Sequence, residues 1–268
     1  MTLSSRIVPK ITDDIDRKEV LCTTYQMRNC FRQFYDGVAS ELDVHCYFQH
    51  AFAADLMPNH GRVLDVCCGR GLLIPFLRYR SKTCRAYVGV DIHSQNAVFA
   101  RGLDPRRSKE EKDWGFPVSF VEANVAEMSQ HLSGRFDLVV YTSAIEHMAI
   151  EAQQASLREC RAVATNKAIL YLTCPVTQEG ASGYDAQYAA HVYEPKMTEL
   201  HSWLEDAGWS IKKTIGLSTK CRHLKAVLSG ESLQKAEMLL KIMPREQALP
   251  TIAALYPECA LEVALVCQ

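Results

Sequence analysis

The chain has 268 residues, 48% apolar and 23% charged, with a formal net charge of −1. That is ordinary globular composition for one large α/β domain or two small ones, and it supplies no global field for nucleic acid or acidic membranes. Eleven cysteines form no C-x-x-C pair and no zinc-finger or disulfide spacing, so they read as small buried hydrophobes, and no metal ligand set is assigned. The first twenty residues lack a signal-peptide core and no span reaches transmembrane length, so a reducing, cytoplasmic protein without membrane contact is expected.

Residues 1–15 read as a polar arm, and 16–57 as helical, with Tyr25, Met27, Cys30, Phe31, Phe34 and Tyr35 recurring at roughly helical spacing. The turn residues 58–61 close this N-terminal unit, taken as 1–60. Strands and helices then alternate. The expected strands are 62–67 (RVLDVC), 86–92 (AYVGVDI), 118–125 (VSFVEANV), 136–144 (FDLVVYTSA) and 168–176 (AILYLTCPV). Helices are expected over 72–80, 96–103, 126–132 and 153–164, with a charged insertion over 104–116. A further helix over 196–209 stops at Gly208, with Thr198 a candidate cap. Strands 210–219 and 260–268 then flank a mostly helical insertion, 229–257, broken by Pro244 and Pro250. Short apolar runs separated by helices predict a Rossmann-like three-layer α/β sandwich over 61–268, its sheet buried on both faces.

In such a sheet, ligands bind beyond the carboxyl ends of the strands. The first strand runs into Asp65-Val66-Cys67-Cys68-Gly69-Arg70-Gly71 and the second ends in Asp91. Asp91 suits a pair of ribose hydroxyls, and it also suits the N-cap of the next helix. Gly69 and Gly71 allow close backbone approach, but Cys67 stands where a pyrophosphate loop carries glycine, and the third glycine is missing. Asp65 would repel pyrophosphate and would welcome a ligand bearing positive charge. A nucleoside with an amino-acid tail and a sulfonium meets these demands, which points to S-adenosylmethionine.

The segment VLDVCCGRG, with Asp91 and the strands after it, resembles the class I S-adenosylmethionine-dependent methyltransferases from about Arg62 to Gly208. The paired cysteines are similar to the first motif of ubiquinone/menaquinone-type enzymes. The resemblance implies a seven-stranded sheet, mostly parallel, whose last strand is antiparallel. It places Asp65 and the backbone from Cys67 to Gly69 beside the methionine moiety, with Gly71 in the same loop. Asp91 would hold the ribose, Ile92 would pack on adenine, and Asn124 and Val125 would meet the ring. Tyr141 and Thr142 would flank the methyl, and Tyr35 would lid the cofactor.

On the acceptor side, the loop 180–195 gathers Tyr184, Asp185, Tyr188, His191 and Tyr193. His191, His147 and Tyr184 are the catalytic candidates, because an acceptor that loses a proton needs a nearby base. Proximity alone is the competing account. Cys174, in TCPV, reads as structural. The expected activity is methyl transfer to an O, N or C nucleophile of a small molecule, leaving S-adenosylhomocysteine, by a monomer or homodimer. A nucleic-acid or modified-nucleotide acceptor, a non-catalytic cofactor-binding module and an NAD-dependent oxidoreductase stand as alternatives.

Overall fold

A computed structural model of the chain describes residues 49–69, 71–80, 83–93, 114–178, 180–184 and 189–268. Tyr35 and most of the N-terminal helical unit, the helix expected over 96–103 and the insertion through residue 113 lie outside the described residues, as do Arg70, Asp185 and Tyr188.

Seven strands form one sheet in the order β3-β2-β1-β4-β5-β7-β6. They are β1 (Arg62–Val66), β2 (Ala86–Asp91), β3 (Val118–Glu122), β4 (Phe136–Thr142), β5 (Ala164–Pro175), β6 (Ile211–Ser218) and β7 (Glu262–Cys267). The first five pair in parallel, and β7 runs antiparallel between β5 and β6, as expected. Strand order reverses direction at β1, between β2 and β4, so the loop after β1 sits at the topological switch point.

The sheet is covered on both faces because β1, β4 and β5 are apolar on both. Leu64, Val66, Val139 and Leu170 face one core with Leu157, Leu200 and Leu204. Val63, Leu138, Val140 and Tyr171 face the other with Leu73, Ile74 and Leu77. The first core is closed by α2 (Ile150–Val163) and α3 (Met197–Asp206), and the second by α1 (Leu73–Arg80) and the helical residues 49–55. Helices α4 (Cys221–Val227), α5 (Gly230–Ile242) and α6 (Arg245–Leu255) precede β7 and share a smaller core around Leu224, Leu249 and Ile252.

Several boundaries differ from the sequence pattern for local reasons. The helix expected over 126–132 is a 3₁₀ segment, Val125–Gln130, interrupted at Glu127, whose φ of −143° is not helical. Thr198 does not cap α3: the Glu199 carboxylate accepts the Lys196 amide at 2.9 Å instead. Gly208 ends that helix as predicted, at φ +83°. β4 stops at Thr142 because Ser143 turns into the left-handed region, φ +44°.

Candidate active site

The loop after β1 is built from three successive left-handed turns, Cys67 at φ +54°, Gly69 at +49° and Gly71 at +71°. Such angles are cheap for glycine and cost a side-chain-bearing residue about 1–2 kcal/mol. Cys67 therefore keeps the backbone that a glycine would adopt, held from behind by a half-buried thiol within reach of the Tyr141 hydroxyl. The Cys68 amide donates to the Val90 carbonyl at 2.9 Å, and its thiol rests over Gly89, where an added Cβ would come within 2.6 Å of the sulfur. A glycine on β2 and a small residue on the loop are thus required together.

Asp91 ties this loop to the end of β2. Its carboxylate accepts the Gly69 amide and the His93 amide, each at 2.9 Å. The contact with His93 is the local turn that an N-cap would make. The contact with Gly69 crosses between strands and fixes the carboxylate at the loop mouth. Asp91, Cys68, Gly89, Phe120 and Glu122 line a shallow cleft at this edge. Ile92 lies beside it, 60% exposed.

Asp65 is buried, and the Tyr87 hydroxyl donates to its carboxylate at 2.6 Å. Burial pushes its pKa up to about 7, against the lowering effect of Tyr87 and with help from the Asp91 charge. A buried carboxyl poised in this way gains most from a cationic ligand group, which would hold it ionised. At Gly69 an added Cβ would meet nothing among the described residues within 4 Å. A poised buried acid, an oriented carboxylate and an open glycine turn fit the amine, ribose and sulfonium of S-adenosylmethionine.

The remaining predicted cofactor residues fall into two kinds. Asn124 is exposed at the end of β3, and its side-chain oxygen caps the Ala126 amide at 3.0 Å. Val125 is buried behind it. Thr142 is half-buried and pairs in register with Thr173 of β5. Tyr141 is fully buried, its hydroxyl bonded to Ser156 at 3.2 Å, so it supports the loop from beneath.

On the other side of β1, the ends of β4 and β5 gather a second polar cluster. A short 3₁₀ turn, Ile145–His147, follows β4, and the Glu146 carbonyl accepts the Val192 and Tyr193 amides at 2.8 and 3.2 Å. Those two bonds bring His147 and His191 together, with ring centroids 4.9 Å apart and nearly perpendicular. His191 Nδ1 lies 2.6 Å from Glu194 Oε1, and His147 Nδ1 lies 2.9 Å from the Ala190 carbonyl. The carbonyl and an ionised Glu194 both accept, so Nδ1 carries a hydrogen in each ring, and in a neutral ring Nε2 carries the lone pair.

Glu146 and Glu194 are buried, and burial pushes Glu146 up to about 8, with added repulsion from Glu262 and Glu194. Glu262, Gln49, Ser143 and Thr173 form a neighbouring buried network that joins residue 49 to the sheet edge. Tyr184 is 67% exposed, its ring edge-on to Tyr193 at 4.9 Å. Cys174 is fully buried, and burial followed by the charges of Glu146, Glu262 and Glu194 raises its thiol well above the usual range. It cannot serve as a thiolate nucleophile, which agrees with the structural reading. A cavity of about 300 Å³ beyond β5, lined by Val176, Gln178, Met197, Thr214 and Glu258 among others, shares no residue with either cluster.

Sequence reasoning placed His147 and His191 but passed over Glu146, Glu194 and Tyr87. The spacing His191-x-x-Glu194 was visible. The Tyr87–Asp65 bond depends on strand register, with Val63 opposite Tyr87 and Asp65 opposite Gly89, which a sequence does not show.

A family model described as "Methyltransferase domain" matches residues 63–167. No curated protein matches the sequence. Among solved structures, the chain is similar to a SAM-dependent methyltransferase from Archaeoglobus fulgidus, at 16% identity and TM-score 0.51 over 88% of this chain and 97% of that one. It is also similar to the [4+2]-cyclase SpnF, at 17% identity and TM-score 0.55 over 84% and 80%. A third likeness is to the glycopeptide N-methyltransferase MtfA complexed with S-adenosylmethionine, at 12% identity and TM-score 0.50 over 82% and 91%. At these identities the structures speak for the fold. Residues 63–167 thus carry a methyltransferase domain, on a fold shared with S-adenosylmethionine-dependent methyltransferases.

Proposed function

We propose that the enzyme methylates an O, N or C nucleophile of a small molecule held over the carboxyl ends of β4 and β5. One observation carries this reading: the donor-side loop after β1 and the cluster of Glu146, His147 and His191 after β4 lie on the same sheet edge. Glu146 is near enough to raise the Cys67 thiol electrostatically. The similarity to MtfA, a glycopeptide N-methyltransferase, is in keeping with a small-molecule acceptor. SpnF, a cyclase on the same fold, shows why the acceptor side and not the fold must decide the reaction.

In this reading Asp65 meets the amine of the donor, Asp91 its ribose, and Cys67 to Gly69 pass their backbone along the methionine chain. Ile92, Asn124 and Val125 border the adenine, and Thr142 lies beside the methyl with Tyr141 supporting the floor. When bound, S-adenosylmethionine supplies an electrophilic methyl whose bonding electrons stay on sulfur as the methyl passes to the acceptor. The protein aligns the acceptor and accommodates its proton. Glu194 and the Ala190 carbonyl fix both imidazoles through Nδ1, which turns each Nε2 toward the acceptor side. Tyr184, at the rim of the loop, contacts the acceptor's outer part.

The test is transfer of a labelled methyl group to a small-molecule acceptor library by the full chain. His191→Asn should lower kcat/KM about 10²–10⁴-fold, the usual share of a proton-handling group, with S-adenosylhomocysteine affinity unchanged. Absence of S-adenosylhomocysteine binding by the intact protein would overturn the reading.

A further inference from the structure

The Glu146 carboxylate and one ring nitrogen each of His147 and His191 lie within 4.8 Å of one another. We propose that these three residues bind a divalent transition-metal cation, and that the methyl acceptor presents a hydroxyl oxygen to it. The second part rests on the methyl-transfer reading above.

The tautomers carry the first argument. A metal-binding histidine needs a lone pair on one nitrogen and a fixed hydrogen bond from the other, often to a carboxylate or a backbone carbonyl. His191 has the carboxylate version, through Glu194 at 2.6 Å. His147 has the carbonyl version, through Ala190 at 2.9 Å. A histidine that merely packs does not need its neighbour to be fixed in the same sense.

The second argument is independent of the rings. Glu146 is 2% exposed, and its Oε2 is buried without a hydrogen-bond partner among the described residues. A buried carboxylate oxygen left unpaired is costly, and an ion is one of the few partners that would satisfy it. His191 Nε2 stands 3.9 Å from Glu146 Oε1. Ligands bound at about 2.1 Å sit roughly 3.0–3.4 Å apart, so side-chain adjustments of about an ångström close the site.

Two imidazoles and one carboxylate suit borderline divalent ions such as Zn²⁺, Co²⁺ or Mn²⁺. Three protein ligands leave coordination positions open, and His147 is exposed, so the open side faces solvent and an incoming acceptor. An acceptor hydroxyl held there becomes more acidic and releases its proton to water. The oxygen pair then forms the O–C bond as the methyl's C–S bond breaks onto sulfur, giving methyl ether, S-adenosylhomocysteine and one proton.

The test uses full-length protein dialysed against chelator and titrated with Co²⁺ alone, read by visible absorption and calorimetry. One Co²⁺ per chain is expected. Glu146→Gln and His147→Ala should each weaken it at least tenfold, and Glu194→Gln, which acts through His191, about 10–100-fold. All three variants should bind S-adenosylhomocysteine like the parent, which reports that they fold. No Co²⁺ binding at millimolar concentration, or binding that none of the substitutions weakens, would overturn the site. Retained S-adenosylhomocysteine binding in that case leaves the methyl-transfer reading standing, whereas loss of both removes it as well.

Discussion

Lowering the pH from 7.5 to 6 should weaken S-adenosylhomocysteine binding by about eightfold, through Asp65 alone. The reasoning starts from burial, which pushes this carboxyl up to about 7 in the ligand-free fold. If only the ionised form meets the ligand's ammonium, the dissociation constant scales as one plus ten to the power of pKa minus pH. That factor is about 11 at pH 6 and about 1.3 at pH 7.5. Tyr87 donates to the carboxylate and so favours its charge, and Tyr87→Phe should shift the whole curve to higher pH. Asp65→Asn should bind weakly with no such dependence. The same group has the opposite effect on ligand-free stability. A folded pKa above the unfolded value of 3.8 means that the native state holds the proton more tightly. Its contribution is therefore full below about pH 4 and is lost as the pH rises to about 7, a change on the order of 4 kcal/mol. Calorimetric titrations across this pH range test the first claim. A parent curve that is flat, or an Asp65→Asn curve that is equally steep, would refute the reasoning.

Other perturbations follow from the same geometry. Cys67→Gly relieves a left-handed side-chain-bearing residue and should preserve S-adenosylhomocysteine affinity within about threefold, measured by calorimetry, since the strain at stake is only about 1 kcal/mol. Gly89→Ala drives a methyl into Cys68 and Phe120 and should cost about 1–3 kcal/mol in denaturant unfolding while also weakening cofactor binding. Gln153→Ala removes the buried amide that donates to the Met148 and Tyr193 carbonyls. It should lower stability by about 2–4 kcal/mol and loosen the 190–194 segment, read as faster amide exchange at Val192 and Tyr193.

The sheet was legible because each strand is a short apolar run bounded by turn residues, and seven such runs gave the right count and the reversed final strand. The strand ends were legible too, which is why Asp65, Gly69 and Asp91 could be chosen without coordinates. Partners across strands were not. Tyr87 reaches Asp65 only through the β1–β2 register, and Cys68 fits only because Gly89 lies opposite. Glu146 sat in plain view beside His147, but a sequence does not reveal that it is buried or that residues 190–194 fold back onto it. The missing helix after β3 had a different cause. AEMSQHL has helical composition, yet the Asn124 cap and the non-helical Glu127 wind it into a 3₁₀ turn.

The central claim is a donor site built where β1 and β2 end. Calorimetric titration of S-adenosylhomocysteine into the full chain and into Asp91→Ala tests it most directly. The parent should bind one equivalent, and the variant should bind at least a hundredfold more weakly, about 3 kcal/mol for losing a charged acceptor to two hydroxyls. Equal affinity in the two proteins would contradict it.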